Sequence, residues 1–366
     1  MTSGPPAPWG AITDVPGVGL GHAQRVGDGW LSGVSVVLPP PGSIGAVDVR
    51  GGGPATRETD ALDPSTLVSG VDAVVLAGGS AYGLASADGV QRWCEEHGRG
   101  FGVGPPDDRS RLVVPIVPAA AIFDLGRGGD VAARPDAALG HAAAQAAADS
   151  ADSAGGAGGA GVPARGCVGA GTGALIAWRG LKGGLGTASV RLESGDLVVG
   201  AVAVVNALGS PLDPATGALL ATAFVPAGRP RPRVPDPEEH RAAVAAAPTA
   251  SRIGVPGAHT TLAVVATNAA IDVARARRTA IAAHDGLARA LWPAHSLLDG
   301  DAVFVLATGR QPVEEAAQVG LDAAAADAVL LAVLDAVLSA TSTSTPALEV
   351  PAYRDLYPSA YLSDVR

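Results

Sequence analysis

The chain has 366 residues, 48% of them hydrophobic and only 4% aromatic, with 50 glycines, 29 prolines and a formal net charge of −10. That acidic balance argues against nucleic acid and anionic membranes as main partners. Two cysteines in unlike contexts, Cys94 and Cys167, argue against a disulfide framework or a zinc site. No charged and apolar leader opens the chain and no apolar run reaches membrane-spanning length without glycines or charges, so the expectation is a soluble, cytoplasmic protein without membrane contact.

Short strands come first: 32–39 (SGVSVVLP), 45–51 (GAVDVRG) and 73–79 (AVVLAGG), separated by Gly/Pro turns. After Gly79 the pattern turns helical, with Leu84, Ala87, Val90 and Cys94 on one face. Residues 113–125 (VVPIVPAAAIFDL) read as a strand that two prolines demote to an edge or irregular one. An Ala-rich helix over 137–148 precedes a low-complexity loop over 149–163. Hairpins dominate 166–226, and 227–258 is a turn-dense Pro/Arg/Ala segment. The strand TLAVVAT (261–267), a helix over 271–292, a strand over 301–309 and a helix over roughly 313–340 close the chain. The last helix carries Leu321, Val329, Val333 and Val337 at helical spacing. Strands alternate with helices without a clear repeat, so the expectation is one α/β domain, 1–366, of layered sheets covered by helices.

Two features carry chemistry. Thr260 and Thr261 stand at the mouth of an apolar strand, after a Pro/Gly-rich loop. On residue type alone the pair reads first as two β-formers. A threonine hydroxyl becomes a useful nucleophile only beside a base, and its own α-amine would serve if the preceding peptide bond were cut. Further on, Asp299-Gly300-Asp301 precedes a second apolar strand. Period-two spacing would point both carboxylates to one side if the strand began there, and two close carboxylates split their proton affinities. The plain alternative is a solvated acidic turn.

Together, TTLAVVATN, AHDGLAR, HSLLDGDAVFVLATG, DVPGVGLGHA, GGSAYGLASADGV, AAIFDLG and VVNALG, spread over residues 12–340, resemble the β-aminopeptidase and nylon-oligomer hydrolase family. The resemblance implies an N-terminal-nucleophile hydrolase of αββα layers, cut into 1–259 and 260–366, needing no cofactor or metal. It implies Thr260 as nucleophile, His259–Thr260 as the cut bond, and Asp299 and Asp301 as the acidic pair of the nylon-hydrolase branch. It further implies Asn206 as a donor to the oxyanion, Lys182 as a site lysine, Phe123 where relatives often carry tyrosine, and Tyr82 as a wall residue. His259 stands where the nylon-hydrolase pattern has asparagine. The implied activity is hydrolysis of 6-aminohexanoate oligomers or similar amides; a β-aminopeptidase is the near alternative, and an unprocessed small-molecule-binding or scaffold protein the alternative of another class. Relatives form homo-oligomers, often tetramers.

Other signals are weaker. The Gly-rich runs 50–59 and 76–83 lack the G-K-[ST] ending and the dinucleotide-loop spacing, and within the resemblance read as packing turns near the site. Ser80 lacks the G-x-S-x-G form. The His284-Asp285 pair has only His295 as a near partner and reads as structural. Cys94 reads as buried and inert, and Cys167 shows no sign of activation in the sequence.

Overall fold

The computed structural model describes residues 8–105, 108, 112–154, 162–176, 180–192, 196–246 and 259–361. Apolar alternation in the strands builds two five-stranded sheets. The first contains β1 (Gly19–Gly27), β2 (Trp30–Leu38), β4 (Thr56–Arg57), β5 (Val74–Ala77) and β6 (Ala119–Ala121), in the order β1-β2-β5-β6-β4. The second contains β3 (Ile44–Val49), β7 (Gly184–Arg191), β8 (Val198–Asn206), β9 (Thr260–Ala270) and β10 (Ala302–Pro312), in the order β7-β8-β9-β10-β3. Among the described strands only β5/β6 and β9/β10 pair in parallel, and each of these pairs is joined through a helix.

Three apolar layers follow from strand parity. Leu76, Ile122, Val202, Val204, Leu262, Val264, Phe304 and Leu306 meet between the sheets. Their neighbours in sequence, Ala201, Ala203, Ala263, Val265, Val303 and Val305, face the helices α3 (Val273–Ala290) and α4 (Ala317–Ser339). On the other side Val34, Val36, Val75 and Ala119 face α1 (Ser86–Glu96) and α2 (Ala137–Ala154). The expected αββα layering is the observed one.

The small-residue composition has a direct structural use. A Cβ on Gly21 of β1 would lie 2.1 Å from the Ala147 backbone nitrogen of α2, and one on Gly186 of β7 would lie 2.1 Å from that of Ala336 in α4. Helix backbones therefore rest on strand backbones, which only glycine permits.

Several boundaries differ from expectation. β1 carries Gly and polar residues and gave no strand signal, although it pairs with β2 along its whole length. The prolines of 113–125 leave only Val113–Val114 and Ala119–Ala121 as strand, as the irregular reading expects. The loop expected over 149–163 is helical as far as Ala154, and 155–161 lie outside the described residues, as do 177–179 and 247–258. Pro237–Ala246, within the supposed turn-dense segment, form a helix. Beyond α4 the chain folds back over the second sheet, burying Tyr353 and Tyr357 and accepting the Lys182 N–H on Pro351 O at 2.8 Å. Among the described residues no helix is long and apolar enough to cross a membrane.

Candidate active site

The polar group lies where β8 ends and β9 and β10 begin. Asn206, the last residue of β8, stands directly opposite Thr260, the first of β9, in antiparallel register. Directly opposed residues share a sheet face, and strand parity makes it the one that carries Val204 and Leu262 between the sheets. Asn206 and Thr260 are both almost fully buried. At the mouth of an apolar layer, their polar atoms must find partners or reactants.

The peptide bond before Thr260 is held in a distinctive way. His259 pairs with Asp299 in a short parallel bridge, and its carbonyl oxygen accepts the Gly300 N–H at 2.9 Å. The Thr260 hydroxyl donates to the same carbonyl oxygen at 2.5 Å. Gly300 has no room for a side chain: a Cβ there would lie 2.7 Å from Thr260 Oγ1 and 2.9 Å from Gly53 O. The Gly-rich run 50–54 wraps the acidic loop, with Gly53 N–H donating to Asp299 O (2.8 Å) and Gly51 N–H to Asp301 O (3.1 Å). Its reading as a packing turn beside the site holds.

Asp299 and Asp301 do not share a face in the way period-two spacing predicts, because β10 begins only at Ala302. Each carboxylate has its own donors. Asp299 accepts from Leu208 N–H (3.1 Å), Ser296 N–H (3.3 Å) and Ser296 Oγ (2.5 Å). Asp301 accepts from Thr261 N–H (2.7 Å) through one oxygen, and from His295 N–H (3.0 Å) and Nδ1 (2.8 Å) through the other. Burial raises Asp299 above the ordinary carboxylate value, and the neighbouring Asp301 charge adds to the rise. His295 is thus a partner of Asp301 that the sequence reading had considered only beside His284. His284 itself is structural, its Nε2 bonding Asp48 O at 3.0 Å and its ring standing edge-on to His295.

Arg127, one residue beyond the AAIFDLG stretch, is the residue that sequence reasoning missed. Its Nη1 donates to Asn206 Oδ1 and to Gly173 O, both at 2.6 Å, and Leu175 N–H donates to the same Asn206 oxygen at 3.0 Å. Desolvation lowers the guanidinium to about 10, so it remains a cation at neutral pH. The only available signal was an arginine flanked by glycines immediately after an apolar strand. Lys182 is fully buried and its Nζ donates to three carbonyls, Gly171 (3.2 Å), Ala174 (2.9 Å) and Gly183 (2.9 Å). An ammonium has three donors, so this geometry directs Lys182 to the 171–175 loop. Burial brings it down to about 8.

Lys182 also changes the picture for Cys167. Burial pushes that thiol up, but the Lys182 charge and hydrogen bonds from Thr341 outweigh it and leave the thiol below its ordinary value. That corrects the sequence reading of Cys167. Cys94, buried against α2, is pushed up to about 12, as an inert thiol should be. His259 is almost fully buried, and neither ring nitrogen has a hydrogen-bond partner among the described residues. Burial, then the Arg127 charge, lowers its imidazole to about 4.

Phe123 is half-buried on the same loop as Arg127; its neighbours Ile122 O and Asp124 Oδ1 accept the N–H groups of Ser80 (2.8 Å) and Gly79 (2.6 Å). Tyr82 is exposed, with the Arg134 guanidinium over its ring at 3.8 Å.

The family model described as Peptidase family S58 matches residues 10–349. An uncharacterized aminopeptidase of Mycobacterium tuberculosis is 48% identical over 369 residues, covering 96% of this chain and 99% of its own. A 6-aminohexanoate-oligomer endohydrolase of Paenarthrobacter ureafaciens is 29% identical over 343 residues, 89% of this chain and 84% of its own. Among solved structures, a Burkholderia β-aminopeptidase superposes with a TM-score of 0.67 at 22% identity, covering 98% of this chain and 96% of the other. The L-aminopeptidase D-Ala-esterase/amidase of Ochrobactrum anthropi, a variant of the Ntn-hydrolase fold, does so with a TM-score of 0.67 at 20% identity, covering 97% and 93%.

Proposed function

Because the chain belongs to peptidase family S58 and is thereby a hydrolase of amide bonds, we propose that it cuts its own His259–Thr260 bond and then uses Thr260 to hydrolyse linear amide oligomers of the 6-aminohexanoate type. One observation carries the first half: the His259 carbonyl takes the Gly300 N–H while the Thr260 hydroxyl lies against it. In the cut, Thr260 Oγ1 adds to the His259 carbonyl carbon, and negative charge grows on the oxygen that the Gly300 N–H already faces. The hydroxyl proton passes to the Thr260 nitrogen as the C–N bond breaks, leaving His259 as an ester on Oγ1 and the Thr260 nitrogen as a free amine. Water hydrolyses the ester and restores the hydroxyl.

The freed α-amine, with an ordinary pKa near ~8, accepts the hydroxyl proton in each later turnover. The substrate carbonyl receives Oγ1, Asn206 donates to its oxyanion from across the strand pair, and the amine proton passes to the leaving nitrogen. Water then releases the acyl group. Asp301 fixes the start of β9 through the Thr261 N–H. Asp299, with its raised proton affinity, steadies the 206–208 and 299–300 segments. Lys182 holds the loop that meets Asn206. The matching acidic pair and the endohydrolase relative support the oligomer substrate.

The aminopeptidase names of relatives at 48% identity favour a second reading, exo-cleavage beside a free substrate amine. Intact mass spectrometry of wild type and Thr260→Ala tests the cut: the wild type should give fragments meeting at His259/Thr260, and the variant one full-length mass. Full-length mass in both would overturn the mechanism and favour an unprocessed binding protein. Cleavage of an N-acetylated 6-aminohexanoate oligomer then separates the substrates, since an aminopeptidase would leave it intact. Assembly into a homo-oligomer is part of the same proposal, and light scattering reads it.

A further inference from the structure

We infer that Arg127 is a positioning residue that sets which way round the Asn206 amide stands, so that the amide N–H rather than its carbonyl is presented to Thr260. The inference rests on the reading of Asn206 as the oxyanion donor and adds what makes that role reliable. An asparagine amide is nearly symmetric in shape, and its surroundings alone decide which end points where. Here the oxygen end meets two donors, Arg127 Nη1 at 2.6 Å and Leu175 N–H at 3.0 Å. Turning the amide over would set its NH2 against both, exchanging two attractive contacts for two donor–donor clashes.

The clamp is itself braced. Arg127 also donates to Gly173 O (2.6 Å), and its own carbonyl accepts the Thr345 hydroxyl (2.7 Å) from the chain beyond α4. Lys182 grips the same 171–175 loop at Gly171 O and Ala174 O. Arg127 thus reaches from the loop after β6 in the first sheet to the end of β8 in the second. Its positive charge also polarises the amide, making the Asn206 N–H a stronger donor to a developing anion.

A double-mutant cycle with chemical rescue tests this. Arg127→Ala, Asn206→Ala and the double variant are assayed on an amide oligomer, with rates expressed per processed chain counted by intact mass. Arg127→Ala should lower kcat by about 100-fold, as the loss of one oxyanion donor does, with KM nearly unchanged. The double variant should be no slower than Asn206→Ala. Guanidinium ion should restore kcat at least about tenfold to Arg127→Ala and not to the double variant, because Asn206 is then missing. Should Arg127→Ala fail to fold or to be cut, Arg127→Lys is read in its place: it keeps the charge but not the fork, and about a tenfold loss of kcat is expected. Losses that multiply in the double variant, a rise in KM at constant kcat, or a fully active Arg127→Lys would each overturn the inference. A fully active Asn206→Ala would instead overturn the reading of Asn206 on which it rests.

Discussion

The middles of β8, β9 and β10 and their ends at Asn206, Thr260 and Asp301 belong to the same strands but obey different rules. In the middles, every second residue enters the layer between the sheets and the others enter the helix-facing layer, all apolar. At the ends, polar side chains are nearly as buried, Asn206 and Thr260 in the same inward-facing rows and Asp301 just before β10, and their partners come from loops: Gly300 N–H, Ser296, His295 and Arg127. The middles hold the molecule together, and the ends keep the polar groups in register. A change in the first region should cost stability, and one in the second should cost chemistry.

Gly300→Ala breaks the polar end with the largest effect. Its Cβ would meet Thr260 Oγ1 at 2.7 Å, and displacing a reacting atom by about an ångström costs roughly 100-fold in rate. Self-cleavage followed by mass spectrometry should slow by about that factor, with some loss of melting temperature from the contact with Gly53 O. Gly186→Val breaks the apolar body of the same sheet instead, in the neighbouring strand β7. Its side chain would enter the α4 backbone at Ala336, and overpacking of this kind costs about 3 kcal/mol. Denaturant unfolding of the uncut Thr260→Ala protein should report that loss.

A smaller effect sharpens the contrast at His259. Its imidazole, lowered from 6.5 to about 4, is neutral in the folded state where the unfolded chain would be protonated. The unfolded state therefore binds more protons between those values, and stability falls as pH drops from 6.5 towards 4. His22 and His284 are lowered to about 4 as well, by burial first, and add to the same acid loss. In the uncut Thr260→Ala background, His259→Asn should remove about 2 kcal/mol of the loss between pH 7 and pH 5. Equal pH slopes in the two proteins would show that His259 titrates normally. The smallest effect is at the cysteines: mild alkylation should label Cys167 and spare Cys94, as peptide mapping would show.

The two regions also differ in how they can be read from the chain. TLAVVAT and DAVFVLATG carry a period that physics translates into strands, and the layering follows. Thr260, Asn206 and the two aspartates were legible because a resemblance set their order along the chain. Gly300 was visible as a residue, but the N–H it presents to His259 has no letter of its own. Arg127 and His295 reach the site from irregular loops, where no periodicity marks a direction. β1 stayed hidden because the glycines that let α2 rest on it also erase the strand signature.

The order of strands in the second sheet has one more consequence. β9 and β10, which lie after the proposed cut, sit between β8 and β3, which lie before it. Severed at His259, the chain would remain laced together by two backbone ladders, and opening the sheet would mean parting two molecules rather than unravelling one. Unfolding would then depend on dilution, and a denatured, cut enzyme would have to find its other piece in solution before it could fold again.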